Sequence, residues 1–146
     1  MKYLRFIILF IIFIGVVIFL TRTGTKEYTQ KNKLLKNGIT IEGVVTGIKR
    51  SHNHGFGILA INVTESNVTE FSSQLSDGIY PYKVKGKYAE IYLPIFIQRE
   101  IGDHIKLISD KEIIYYDGKK SKDEGEVYII TNSEDIDFVK ENSSFK

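Results

Sequence analysis

Two histidines one residue apart, His52 and His54, are the side chains of this sequence best suited to hold a metal ion. Imidazoles two positions apart on a strand share a face, and such pairs bind zinc, copper or nickel when a third ligand joins them. His104, the remaining histidine, is the candidate third ligand if the later turn folds nearby. The neighbouring Asn53 and Gly55 are ordinary turn residues, so the same stretch also reads as the polar tip of a hairpin. The hairpin tip is the simpler reading, and no cofactor is expected.

A second constellation is aromatic. Tyr80, Tyr82, Tyr88 and Tyr92 are interleaved with Lys83, Lys85 and Lys87 in YPYKVKGKYAEIY. Displayed on one surface with Arg50, such a row stacks nucleic-acid bases or sugar rings. Tyrosine equally suits cross-strand pairing on a half-solvated sheet, which is the competing expectation. The acids Glu134, Asp135 and Asp137 lack the glycine and terminal Glu of a calcium loop, and charge at a helix start explains them. No G-x-S-x-G, P-loop, H-E-x-x-H or dinucleotide fingerprint is present. No residue is assigned a catalytic role, and the chain is not expected to be an enzyme.

Composition narrows the field further. The absence of cysteine excludes disulfides, thiolate metal sites, a cysteine nucleophile and a lipidated lipoprotein start. The 20 Lys and Arg lose Lys2, Arg5 and Arg22 to the N-terminal segment, which leaves 17 against 18 Asp and Glu. A balanced domain lacks the concentrated positive surface that phosphate backbones require, so a nucleic-acid partner is not favoured and a protein partner is.

Residues Tyr3 to Thr21 read YLRFIILFIIFIGVVIFLT. As a helix they span roughly 28 Å, close to the hydrocarbon core of a bilayer. No small-residue cleavage pattern follows, so an uncleaved signal anchor is preferred to a removed signal peptide. Lysines after the span argue for a cytoplasmic domain by the positive-inside rule, whereas the short basic N-tail is how export signals begin. We expect a single-pass protein of a bacterial inner membrane with its domain outside the cytoplasm. The expected organisation is an anchor at 1–25, a stalk or short helix at 26–38 and a β-rich domain at 39–146.

Period-two patterns place strands at Ile39–Arg50, Phe56–Val63, Lys87–Leu93, His104–Ile108, Glu112–Tyr116 and Val127–Thr131. Gly43 and Gly47 on one face of the first strand point to a strong bend. Ile41, Val45, Ile58, Ile91, Leu93, Ile105 and Leu107 are the expected core, with Tyr88, Glu90 and Tyr92 facing outward. Asp117 to Glu126 reads as a charged loop, and Ser133 to Glu141 as a short C-terminal helix capped by Asn132 or Ser133. The fold class is therefore all-β or β-rich, a small barrel or sandwich after one transmembrane helix. The long curved first hairpin and the later Gly-Asp turn make the layout similar to an oligonucleotide/oligosaccharide-binding (OB-like) barrel. Function is then a membrane-anchored binding module for a protein partner. The alternatives are a nucleic-acid or glycan-binding barrel and a histidine metal site.

Overall fold

The computed structural model describes residues 2–96 and 98–145. The chain divides into two compact units, Met1–Lys33 and Leu34–Lys146. The first is helix α1 (Lys2–Asn32), which passes unbroken through the boundary expected at residue 25. Its polar half contains four threonines. The hydroxyls of Thr21, Thr23, Thr25 and Thr29 each donate to the carbonyl four residues earlier at 2.8–3.0 Å, so they do not compete with the helix. Phe6–Leu35 includes an 18-residue window of mean hydropathy 2.7, none of it buried by the rest of the chain. After a single 3₁₀ turn (Lys33–Leu35), Gly38 at φ +73° swings the chain into the sheet.

The second unit is one antiparallel sheet of eight strands. They are β1 (Thr40–Arg50), β2 (Phe56–Ser66), β3 (Glu70–Phe71), β4 (Tyr82–Lys85), β5 (Tyr88–Pro94), β6 (His104–Ile108), β7 (Ile113–Asp117) and β8 (Lys122–Glu126). Their spatial order is β3-β4-β5-β2-β1-β6-β7-β8. The sheet is not closed, because β3 and β8 are edges that pair on one side only. It nevertheless curls. Strands β4 and β7 stand five steps apart, roughly 24 Å in a flat sheet. Yet Tyr82 and Val84 of β4 belong to the same buried cluster as Ile114 and Tyr116 of β7. The sheet wraps its inner face around its own side chains.

The bend expected in β1 is present. The register to β2 slips between Glu42 and Gly43 and again between Val45 and Gly47. At Gly43 an added Cβ would lie 2.4 Å from the Asn62 carbonyl oxygen, so only glycine lets the two backbones approach there.

The strand assignments need correction. The 117–126 stretch is not all loop, since its charged residues 122–126 form edge strand β8; charge is how exposed edges resist pairing with other chains. The short β3 and β4 have too few residues to show periodicity. Val127 to Thr131 is no strand and makes only one isolated bridge, Ile130 to Ile79.

A second, smaller layer lies on the outside of the sheet. Helix α2 (Ser133–Asn142) begins at Asn132, whose side chain accepts from the N–H groups of Glu134 and Asp135. Val139, with Ile136 and Phe138, packs on Phe56, Ile58, Tyr92 and Ile130. Ile58 is therefore buried as expected, but in this outer cluster. The helix is tied at both ends, by Asn53 Nδ2 donating to Asp135 at 3.0 Å and Lys49 Nζ donating to the Asn142 carbonyl at 2.5 Å.

The strand β5 alternates as expected, with Ala89, Ile91 and Leu93 in the main core. Its other face is not solvated, however, because α2 and the residues after it cover Glu90 and Tyr92, each 1% exposed. The Glu90 carboxylate accepts from Ser143 Oγ (2.6 Å), Ser144 N–H (2.8 Å), Tyr88 OH (3.0 Å) and Tyr92 OH (3.0 Å). Burial by itself would raise this carboxyl, but the four donors outweigh it and hold Glu90 below the ordinary carboxylate range.

A carboxyl depressed in the fold stabilises it at pH values above its unfolded pKa, about 4.3, and that contribution fades as pH falls through the folded value. Glu90→Gln should therefore cost about 1–3 kcal/mol at pH 7 and abolish part of the acid sensitivity below about pH 4. Urea unfolding of the full chain in detergent at pH 7 and pH 3 checks both. An equal loss for the two chains between these pH values would show that Glu90 is not the titrating group.

Candidate functional site

The histidines are not brought together. His52 and His54 are exposed at the β1–β2 turn, where His54 adopts a left-handed φ of +44°. His104 opens β6, opposite Val44 of β1 and Asp117 of β7. Val44 is eight positions from His52, roughly 25 Å of extended chain. Among the described residues no group of three His, Cys, Asp or Glu side chains is placed to hold a metal ion. His104 instead lines a shallow depression of about 180 Å³ on the outer face of the sheet, beside the Lys106–Glu42 ion pair and Tyr115.

The tyrosine row is also divided. Tyr82 is fully buried in the main core, where burial pushes its phenol up to about 12 although its OH donates to Asn37 Oδ1 at 3.0 Å. Tyr92 faces the opposite way and is buried beneath α2. Tyr88 shares that outer face, half-buried, and stacks on Phe145 at 5.4 Å. Lys85 is exposed on β4, next to the edge. Arg50, at the end of β1, donates to the carbonyls of Phe96 (3.3 Å) and Arg99 (3.4 Å). The six side chains therefore form no common surface. The cause is the β4–β5 register: Tyr82 pairs with Ile91 and Val84 with Ala89, so even-numbered residues of β4 share a face with odd-numbered residues of β5, and Tyr82 turns inward while Tyr88 and Tyr92 turn outward.

Arg50 belongs to a different construction. The β5–β6 loop is held by Arg99, 4% exposed, which donates to Ser121 Oγ at 3.1 Å and Asp123 Oδ1 at 2.5 Å. Its guanidinium lies 3.6 Å above the Tyr116 ring. Asp103 accepts from the Glu100 N–H at 2.9 Å. Phe96 and Ile101 project from this braced loop at 58% and 68% exposure.

Tyr80 of the aromatic row lines a cavity. A groove of about 450 Å³ opens between the 72–80 segment, Lys83 of β4, and Ile136 and Lys140 of α2. That volume falls within the roughly 300–1,000 Å³ of small-molecule sites. The wall is rigid. Gln74 bridges to Ile79, and Ile79 in turn exchanges two backbone hydrogen bonds with Ile130, at 2.9 and 3.0 Å. Gly78 sits between them at φ +124°. Behind the wall Tyr80 packs edge-on against Phe71 at 5.0 Å and donates to the Leu34 carbonyl at 3.4 Å. The lining offers serine hydroxyls, the Gln74 amide, the Asp77 carboxylate and two ammonium groups, with Leu75, Ile79 and Ile136 as its apolar part.

Sequence reading missed this groove. Its one local signal is the turn dipeptide Asp77-Gly78. The rest depends on Ile79 meeting Ile130, a pairing that no local pattern announces.

Two substitutions separate wall from turn. A Cβ on Gly78 would sit 2.7 Å from the Ile130 carbonyl oxygen, in a backbone conformation that alanine resists. Gly78→Ala should cost about 1–3 kcal/mol in thermal or urea unfolding. Replacing His52 and His54 together should change stability by less than about 0.5 kcal/mol and leave it insensitive to added zinc. A large loss in the histidine double variant would show that the hairpin tip carries structure. No family model matches this chain, and no curated protein or solved structure matches it either, so the reading of function rests on the fold and its surfaces.

Proposed function

We propose that the protein is a single-pass, membrane-anchored binding module whose β-rich unit presents the 72–80 groove to a partner outside the cytoplasm. The observation that carries this reading is α1. Its apolar window is wholly uncovered by the rest of the chain, and fifteen consecutive apolar residues exposed to water are strongly disfavoured unless something apolar surrounds them. A bilayer supplies that environment, and the helix length suits it. The second unit supports a binding role, because the groove offers hydroxyls, an amide, a carboxylate and ammonium groups to a ligand. A nucleic-acid partner has less support than a protein or glycan, since the tyrosines that would stack bases are divided between two faces of the sheet.

Alkaline carbonate extraction and protease treatment of intact spheroplasts test the two parts separately. The chain should stay with the membrane pellet, and the β-rich unit should be digested without lysis. Release into the carbonate supernatant would remove the anchor. Protection until lysis would reverse the orientation and move the search for partners into the cytoplasm.

A further inference from the structure

We propose that the 72–80 groove binds a short stretch of neutral saccharide. This rests on the reading of the β-rich unit as a binding module and names the class of ligand it takes. The argument begins with charge. Of the lining residues Lys83 and Lys140 are cationic and Asp77 is anionic, and Lys140 also donates to Asp137, outside the lining, at 3.2 Å. A phosphate or a polyanion needs a concentrated positive charge, and one lysine beyond the Lys140–Asp137 pair, in a lining that also holds the Asp77 carboxylate, does not provide it.

Hydrogen-bonding capacity points the same way. The hydroxyls of Ser72, Ser73 and Ser76 have no protein partner among the described residues and remain available at the groove. A serine hydroxyl both donates and accepts, as does the Gln74 amide. Ligands that themselves both donate and accept at successive positions match that inventory, and polyols do so. Leu75, Ile79 and Ile136 form the apolar part of the lining, suited to the C–H face of a sugar ring. The paired backbones of Gln74, Ile79 and Ile130 fix the wall before any ligand arrives, so little ordering cost falls on binding.

Isothermal titration of the full chain in detergent micelles tests the proposal, with chitotetraose and maltotetraose as neutral probes and inorganic phosphate and oligo(dT) as anionic ones. At least one tetrasaccharide should bind, and neither anion should. Ser76→Trp, which fills the groove from its rim, should weaken that binding by at least about tenfold at an unchanged unfolding temperature. Lys83→Ala, a less bulky change, should weaken it several-fold and serves if the tryptophan disturbs folding. No saccharide binding at about 10 mM, equal binding of phosphate, or full affinity in both variants would overturn the proposal. Carbonate extraction of the same protein separates this failure from failure of the anchored module: a chain that resists extraction yet binds no saccharide sinks the ligand class alone.

Discussion

An eight-stranded sheet curled around its own side chains has one weak place, the gap between its two edges. Here β3 contributes only two residues, and β8 is a run of charges, so neither can extend to meet the other. The gap is covered instead by the segment that follows β8. Val127 and Ile129 turn inward and join the main core, while Ile130 joins the outer cluster. What holds this strap is the reciprocal pair of hydrogen bonds between Ile79 and Ile130. Buried backbone groups must be paired somewhere, and this pair satisfies two donors and two acceptors where no strand is available. The core is thus sealed by an extended strap and one bridge rather than by closure of a barrel.

Much of the fold could be read from the sequence because its signals are local. Alternation found β1, β2, β5, β6 and β7, the glycines of β1 marked its bulges, and Asn132-Ser133 marked the start of α2, where Asn132 proves to be the cap. The failures have one physical source. Period two reports which face a residue occupies, and burial depends on what covers that face. Glu90 and Tyr92 sit on the face expected to be wet, and a helix more than forty residues away in sequence keeps it dry. The same limit hid the groove, whose walls come from residues 72–80 and from α2.

Glu90 shows how that second layer is made specific. Taking a carboxylate out of water is costly unless its acceptor sites are filled. All four donors to Glu90 come from β5 or from the residues just after α2. The carboxylate therefore accepts one arrangement of the C-terminal segment, in which Ser143 and Ser144 lie against β5 and Phe145 stacks on Tyr88. Apolar contacts alone would let α2 slide along the sheet. The buried charge, with Asn53 and Lys49 at the two ends of the helix, removes that freedom.

The groove inherits rigidity from both devices. One wall is the segment ending at Ile79, and Ile79 is half of the bridge that seals the core. The facing wall is α2, whose position Glu90 indirectly fixes. A binding surface supported in this way loses little entropy when occupied, whereas a loop free to move would lose more. It also follows that the site cannot be loosened without cost elsewhere. Separating Ile79 from Ile130 to widen the groove would open the edge gap above Val127 and Ile129, two residues 0% and 4% exposed. The shape of the groove is thus coupled to the integrity of the core, so affinity for a ligand should be tuned through the side chains that line it, with the backbone left in place.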